Sequence, residues 1–142
     1  MHGTYNVCRL VASHLSKQSP APEDESVGVF ILVSSISHQD GQTGQTCYAS
    51  TKGAIASLAL PMARDLARHK IRVITIAPGV FESPMSAKME KKAFQTLLAG
   101  TEWPARLGTG KDFAKAVESS IDNEMWNGCI LRLDGAVRLG KL

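Results

Sequence analysis

The sequence predicts an α/β fold, specifically one flank of a doubly wound parallel sheet with helices on its faces. Three largely apolar runs, at 27–33, 71–77 and 129–133, are separated by stretches with helical periodicity. Strand, helix and strand in succession favour right-handed parallel crossovers. A length of 142 residues with 44% hydrophobic content suits one domain with a substantial core.

Helical periodicity predicts the first helix, and the absence of alternation predicts the first strand. Apolar residues at helical spacing predict an amphipathic helix over residues 5–15, and the acidic, proline-bearing stretch 16–26 predicts a solvated loop. The run VGVFILVSS is then a near-continuous series of β-branched and aromatic residues that ends in two serines. We therefore expect a strand that is buried on both faces.

A long helix is predicted over residues 48–70, with a kink at Pro61, because proline removes one backbone hydrogen bond. The second strand, IRVITIA, stops before Pro78 and Gly79. A loop and helix are expected over 80–100 and another helix over about 112–122. The short strand CILRL then leads into a turn at residues 134–135.

Composition and charge exclude several classes of function. The net charge of +3 comes from 16 basic and 13 acidic residues spread along the chain, which does not indicate nucleic-acid binding. No apolar stretch reaches the roughly 18 residues of a membrane span, and no targeting segment is recognisable at the N-terminus. The three cysteines are far apart and lack metal-ligand spacing, which favours a reducing compartment and no metal site.

Candidate chemistry lies where the strands end, since ligands of such sheets bind at the carboxyl ends of the strands. Ser34 and Ser35 end the first predicted strand, and Ser35 precedes Tyr48 by thirteen residues. Tyr48 and Lys52 are four residues apart, so their side chains share one face of a helix. Taken singly, such a pair is typical of a solvated helix surface, and a serine at this place is typical of a strand-end cap.

Together these three residues suit acid–base chemistry on a carbon–oxygen group. A neutral phenol is a weak base near neutral pH. An ammonium about 4.5 Å away stabilises a phenolate by roughly 4 kcal/mol at an effective dielectric constant of about 20. A serine hydroxyl beside the phenolate can hold a substrate carbonyl or alcohol oxygen.

The chain resembles the short-chain dehydrogenase/reductase family in Ser35, the segment YASTK with Tyr48 and Lys52, the later run IAPGVFESPM, and LDGA. A tyrosine and lysine at this spacing are common by chance, whereas the ordered set is specific. The runs GTYNVCRLVA, LPMARDLA and ILRLDGAVR are similar to family members that act on 3-hydroxyacyl-CoA and on hydroxysteroids.

The resemblance implies a role for each matching residue. Tyr48 is the general acid/base, Lys52 stabilises its phenolate and binds the nicotinamide ribose, and Ser35 orients the reacting oxygen. The implied NAD contacts are Tyr48, Lys52, Pro78, Gly79, Val80, Phe81 and Ser83, the last replacing the threonine that is usual in the family. The implied substrate contacts are Ser35, Gln45, Met85 and Met89.

The resemblance also implies partners and a place in the cell. The substrate is an acyl-CoA or a steroid, and the assembly is a homo-oligomer, commonly a tetramer. A mitochondrial location is implied, with the cytoplasm or the peroxisome as alternatives, since the C-terminal GKL nearly matches a peroxisomal address.

The resemblance is to the C-terminal half of the family domain. Family members begin with a strand, a glycine-rich turn for the pyrophosphate, an acidic residue for the ribose and an Asn-Ala-Gly segment, none of which is in this sequence. The family's catalytic asparagine would fall just ahead of His2. Residues 1–142 are therefore expected to form a single, incomplete domain without the dinucleotide-binding half.

Two other functions stay open at the level of sequence. The first is a catalytically silent chain that acts as an oligomer partner through the helical faces at 5–15 and 49–68. The second is a serine hydrolase that uses Ser35 with a histidine, although the chain lacks GxSxG.

The segment LGTGKD superficially matches a phosphate-binding loop. Ala105 stands where the first glycine of that loop should be, and Asp112 replaces its serine or threonine. We therefore reject a phosphate-binding loop and predict Asp112 in the first turn of a helix, where its charge is favourable.

Overall fold

The computed structural model describes residues 1–18, 22, 25–84, 86, 95 and 98–138. Within them a parallel sheet has the strand order β1-β2-β3, with β1 at Gly28–Val33, β2 at Ile71–Pro78 and β3 at Ile130–Leu133. The predicted α/β class with parallel crossovers is confirmed. β2 and β3 each lie within one residue of the predicted bounds at either end. β1 starts one residue later and ends two residues earlier than the predicted run VGVFILVSS.

The register brings the functional ends of the strands together. Gly28 lies opposite Ile71 and Val33 opposite Ile76, while Pro78 lies opposite Leu133. The Ser34 N–H continues the ladder by donating to the Ile76 carbonyl over 2.8 Å. The residues that follow β1 and β2 therefore emerge at one edge of the sheet.

Four helices are described: α1 at His2–Leu15, α2 at Thr46–Ser57, α3 at Ala59–Leu66 and α4 at Gly110–Asp122. Short 3₁₀ turns occupy Ile36–His38 and Ala67–His69. The long helix predicted over 48–70 is thus divided into α2 and α3. α2 ends at Ser57, and Pro61, four residues later, has no N–H to donate to the Ser57 carbonyl. The helix predicted within 80–100 falls mostly on residues outside the description.

β2 forms the centre of the core, since residues 71–77 are all buried. On one face of the sheet α1, α2 and α3 bury an apolar cluster of Cys8, Phe30, Leu32, Ile55, Ala63, Ile71 and Val73. The prediction that β1 is buried on both faces is wrong. Phe30 and Leu32 are buried, but Val33 is 45% exposed, because β1 pairs with β2 alone among the described strands.

Arg72 ties β2 to the C-terminal end of α4. Its guanidinium is buried and donates to four main-chain carbonyls, those of Ser120, Ile121, Asn123 and Trp126. Its Nε lies 2.9 Å from a Glu124 carboxylate oxygen. The cation thus satisfies carbonyls that a helix end leaves unpaired, and it complements the negative end of the helix dipole.

The N-terminus of α4 has a full capping box. The Thr109 hydroxyl accepts from the Asp112 N–H, and the Asp112 carboxylate accepts from the Thr109 N–H over 2.8 Å. Arg106 adds a two-pronged ion pair to Asp112, at 2.7 and 3.1 Å. The Arg106 guanidinium and the Thr109 donors hold the pKa of Asp112 well below its usual range. Asp112 lies in the first turn, as predicted.

We expect Asp112→Asn to make the free energy of unfolding depend less on pH in the acid range. A carboxyl group whose pKa is lower in the folded chain contributes stability above its unfolded pKa of about 3.9 and loses it as the pH falls further. At about pH 7 the midpoint temperature of thermal unfolding should therefore be lower in the variant than in the wild type. The two midpoint temperatures should converge as the pH falls toward about 2. Asp122→Asn, at the other end of α4, is the control, and equal pH profiles for both variants would contradict the assignment.

Within the described ranges, no helix combines the length and apolar character that crossing a bilayer requires. The same part of the chain holds no group of three or more His, Cys, Asp or Glu side chains arranged for a metal ion.

Candidate active site

Ser35 lies just past β1, in extended backbone conformation, as the N-cap of the Ile36–His38 turn. Its hydroxyl oxygen accepts from the Ser37 N–H over 3.1 Å, which leaves the hydroxyl proton available to a substrate oxygen. The His38 ring lies 2.7 Å from the Ser35 carbonyl through Nδ1, on the main chain rather than the hydroxyl. This contact gives no support to the hydrolase alternative, which needs a base at the hydroxyl.

Tyr48 and Lys52 lie on the first turns of α2 and share a face. The Lys52 ammonium lies 5.8 Å from the centroid of the Tyr48 ring. The Tyr48 side chain is 47% exposed, so a substrate can reach its hydroxyl. The arrangement places a positive charge beside a phenol that is open to the carboxyl edge of the sheet.

A reciprocal pair of hydrogen bonds fixes α2 against the end of β1. The buried Ser34 hydroxyl donates to the Lys52 carbonyl over 2.7 Å, and the Lys52 ammonium donates to the Val33 carbonyl over 3.3 Å. Sequence reasoning missed the role of Ser34. The available signal was its place one residue before Ser35, at the end of a buried strand.

The segment after β2 crosses the same edge of the sheet. The Gly79 N–H donates to the Leu133 carbonyl over 2.9 Å, and the Val80 carbonyl accepts from the Gly108 N–H over 3.0 Å. The N–H groups of Val80 and Phe81 donate to no acceptor in the part of the chain that the structure describes. Two open donors of this kind suit the oxygen of a planar amide group.

Ser83 and Gln45 stabilise turns near this edge. The Ser83 hydroxyl accepts from the Ser86 N–H over 3.1 Å, while the Ser83 N–H donates to the Ser86 hydroxyl. Gln45 directly precedes α2, and its side-chain oxygen accepts from the Gln42 N–H over 3.1 Å. Met85 and Met89, predicted as substrate contacts, lie outside the described residues.

Arg132 on β3 holds the segment that follows Ser35. Its guanidinium donates to Asp40 over 2.6 Å, to Asp134 over 2.9 Å and to the Gln39 side chain over 3.0 Å. The hydrogen bond to Asp40 is the main reason that the pKa of Arg132 is raised. Sequence reasoning missed this contact, although an arginine between two leucines of a short strand was a signal.

A small cavity of about 140 Å³ opens at the carboxyl ends of β2 and β3. Its wall includes Val80, Phe81, Leu133 and Asp134. Ser35, Tyr48 and Lys52 do not line it, so the cavity adjoins the segment after β2 but is distinct from these three predicted site residues.

Comparison with known proteins shows similarity to dehydrogenases. The family model described as short chain dehydrogenase matches residues 1–93. The chain is 41% identical over 137 residues to human 3-hydroxyacyl-CoA dehydrogenase type-2, covering 96% of this chain and 52% of that protein. It is 33% identical to ipsdienol dehydrogenase of Ips pini, with 96% and 53% covered. The chain thus spans about half the length of these relatives.

Solved structures show the same likeness in three dimensions. The crystal structure of 3-hydroxyacyl-CoA dehydrogenase type-2 from Mycobacterium avium superposes with a TM-score of 0.91 at 41% identity, over 100% of this chain and 55% of that one. A 7α-hydroxysteroid dehydrogenase complexed with NADH and 7-oxo glycochenodeoxycholic acid gives a TM-score of 0.83 at 27% identity, over 96% of this chain and 51% of that one.

Proposed function

The chain belongs to the short-chain dehydrogenase family. From that premise we propose that it functions as an NAD-dependent oxidoreductase that interconverts a secondary alcohol and a ketone. The observation that carries the proposal is the Lys52 ammonium 5.8 Å from the Tyr48 ring centroid, with Lys52 anchored at the end of β1. The names of the relatives favour 3-hydroxyacyl-CoA or a hydroxysteroid as the substrate class.

Three residues of this chain have separate roles in the proton transfer. In the oxidation direction the Tyr48 oxygen takes the proton of the substrate hydroxyl, and in reduction it returns the proton. The Lys52 charge stabilises the phenolate, and the Ser35 hydroxyl donates to the substrate oxygen. A nicotinamide held by Lys52 and by the segment at Val80 and Phe81 would supply the hydride acceptor for the alcohol carbon, so that the product would be the ketone.

The residues at the sheet edge fit a nicotinamide cofactor. The open N–H groups of Val80 and Phe81 suit the carboxamide, and the Lys52 ammonium suits the ribose hydroxyls. The choice of NAD over NADP rests on resemblance, with the NADH-bound hydroxysteroid dehydrogenase as support. We also propose that residues 1–142 correspond to the C-terminal half of the family domain, since they match about half of each relative.

The proposed assembly is a homo-oligomer, and a tetramer is the form implied by resemblance. The solvent face of α1 supports it, because Val7 and Leu10 are 60% and 61% exposed. The same surface favours the second candidate function, a silent oligomer partner. We place the protein in the mitochondrion by resemblance alone.

Ser35→Ala tests the proposed function. We expect the rate of NADH formation from a 3-hydroxyacyl-CoA or a hydroxysteroid to fall about 100- to 1,000-fold, because the substrate oxygen loses its hydroxyl donor. Ser37→Ala is a matched control, since Ser37 is buried and lies in the same turn, and it should keep the wild-type rate.

Equal rates for Ser35→Ala and Ser37→Ala would refute the role of Ser35. A wild-type chain that forms no NADH, yet runs as an oligomer in light scattering of the same sample, would favour the silent partner.

A further inference from the structure

The loop that precedes α4 pairs with the segment after β2. Gly108 forms an isolated parallel bridge with Phe81. The Gly108 N–H donates to the Val80 carbonyl over 3.0 Å, and the Glu82 N–H donates to the Gly108 carbonyl over 2.8 Å. Two backbone hydrogen bonds thus hold the residues on either side of Phe81.

The Phe81 ring needs the space that Gly108 leaves open. A Cβ atom at position 108 would lie 2.5 to 2.7 Å from three ring carbons of Phe81, closer than such atoms approach in proteins. On α4, Phe113 meets the Phe81 ring edge-on, with centroids 6.0 Å apart. Phe113 therefore blocks one direction in which the Phe81 ring could move away from an added side chain.

The loop carrying Gly108 is itself firmly held. Arg106 and Asp112 form their two-pronged ion pair across it, and Thr109 closes the capping box. Leu107 is buried at 8% exposure. A clash at Gly108 should therefore displace the segment at residues 80–82 rather than the loop.

We propose that Gly108 is a positioning residue for the cofactor-binding segment. By leaving room for the Phe81 ring, it sets where the open N–H groups of Val80 and Phe81 lie, and so controls affinity for the nicotinamide dinucleotide. This inference rests on the proposed function. It gives the segment LGTGKD, which is not a phosphate-binding loop, a role at the same edge of the sheet.

Gly108→Ala tests the proposal in the full chain. We expect the dissociation constant for NADH, measured by fluorescence titration, to rise about 10- to 100-fold, as misplacing a binding group by about 1 Å can do. Without dinucleotide, the Glu82 amide should exchange with solvent roughly tenfold faster, because its hydrogen bond to residue 108 is strained. Gly110→Ala is the matched control, since nothing lies within 4 Å of a Cβ there, and it should change neither value.

A second variant separates a specific clash from general damage. In a Phe81→Leu background the ring carbons that meet the new Cβ are gone, so Gly108→Ala should add little to either measurement. A further loss as large as in the wild type would overturn the proposal. So would faster Glu82 exchange with unchanged NADH affinity.

A wild-type chain that binds no NADH would instead refute the proposed function and the cofactor role with it. The exchange data would still decide whether Gly108 holds residues 80–82, because they require no dinucleotide.

Discussion

Tyr48→Phe is expected to reduce hydride transfer by about 1,000-fold or more, because the substituted ring has no group that can exchange a proton with the substrate. The ring itself remains, so its contact with Lys52 should persist. Since Tyr48 is 47% exposed, the free energy of unfolding should change by less than about 0.5 kcal/mol. Steady-state rates and urea unfolding of the same preparation measure the two effects.

The chain supplies a matched control for this substitution. Tyr5, the other tyrosine, lies on α1 and is 46% exposed. Tyr5→Phe should therefore keep both the wild-type rate and the wild-type stability. A Tyr48→Phe variant with the rate of Tyr5→Phe would rule out Tyr48 as the general acid/base.

Arg72→Met is expected to be the most destabilising single substitution discussed for this chain. It retains much of the side-chain volume but removes the guanidinium donors to four carbonyls and leaves Glu124 without its ion pair. Of these carbonyls, that of Asn123 keeps its hydrogen bond from the Trp126 N–H. Leaving a buried acceptor without its donor costs about 1–3 kcal/mol for each group. Urea unfolding followed by circular dichroism should show a midpoint displaced accordingly.

Arg64→Met provides the comparison, since Arg64 is exposed on α3. It should shift the free energy of unfolding by less than about 0.5 kcal/mol. If Arg72→Met cost no more than Arg64→Met, the guanidinium would not be what holds α4 to the sheet.

Much of the fold could be predicted from the chain because its signals are local. The runs that form β2 and β3 are largely apolar, with Arg72, Thr75 and Arg132 as their polar residues. Pro61 marks the division between α2 and α3 by its own covalent structure. The burial of β1 was not predictable in this way. How much of a strand is covered depends on its neighbours, and Val33 is exposed because no described strand pairs beyond β1.

The residues of the candidate site also differ in whether a local pattern predicts them. The shared face of Tyr48 and Lys52 follows from a spacing of four residues on a helix. Ser34 and Arg132 were missed because their partners are remote in sequence: Ser34 bonds to a carbonyl 18 residues away, and Arg132 to a carboxylate 92 residues away. Such pairs are set by the topology of the sheet, which a pattern in one segment does not contain.

The Arg132 contacts limit which substitutions this protein can accept during evolution. Asp40 lies in the segment after Ser35 and Asp134 in the turn after β3, and one guanidinium joins both. Side chains that share such a network show coupling energies of about 0.5–3 kcal/mol. A lineage that loses the charge at position 40 leaves Arg132 to pair with Asp134, so natural variation at 40, 132 and 134 should arise as linked sets of changes. The history of the segment that follows Ser35 is thereby tied to that of β3.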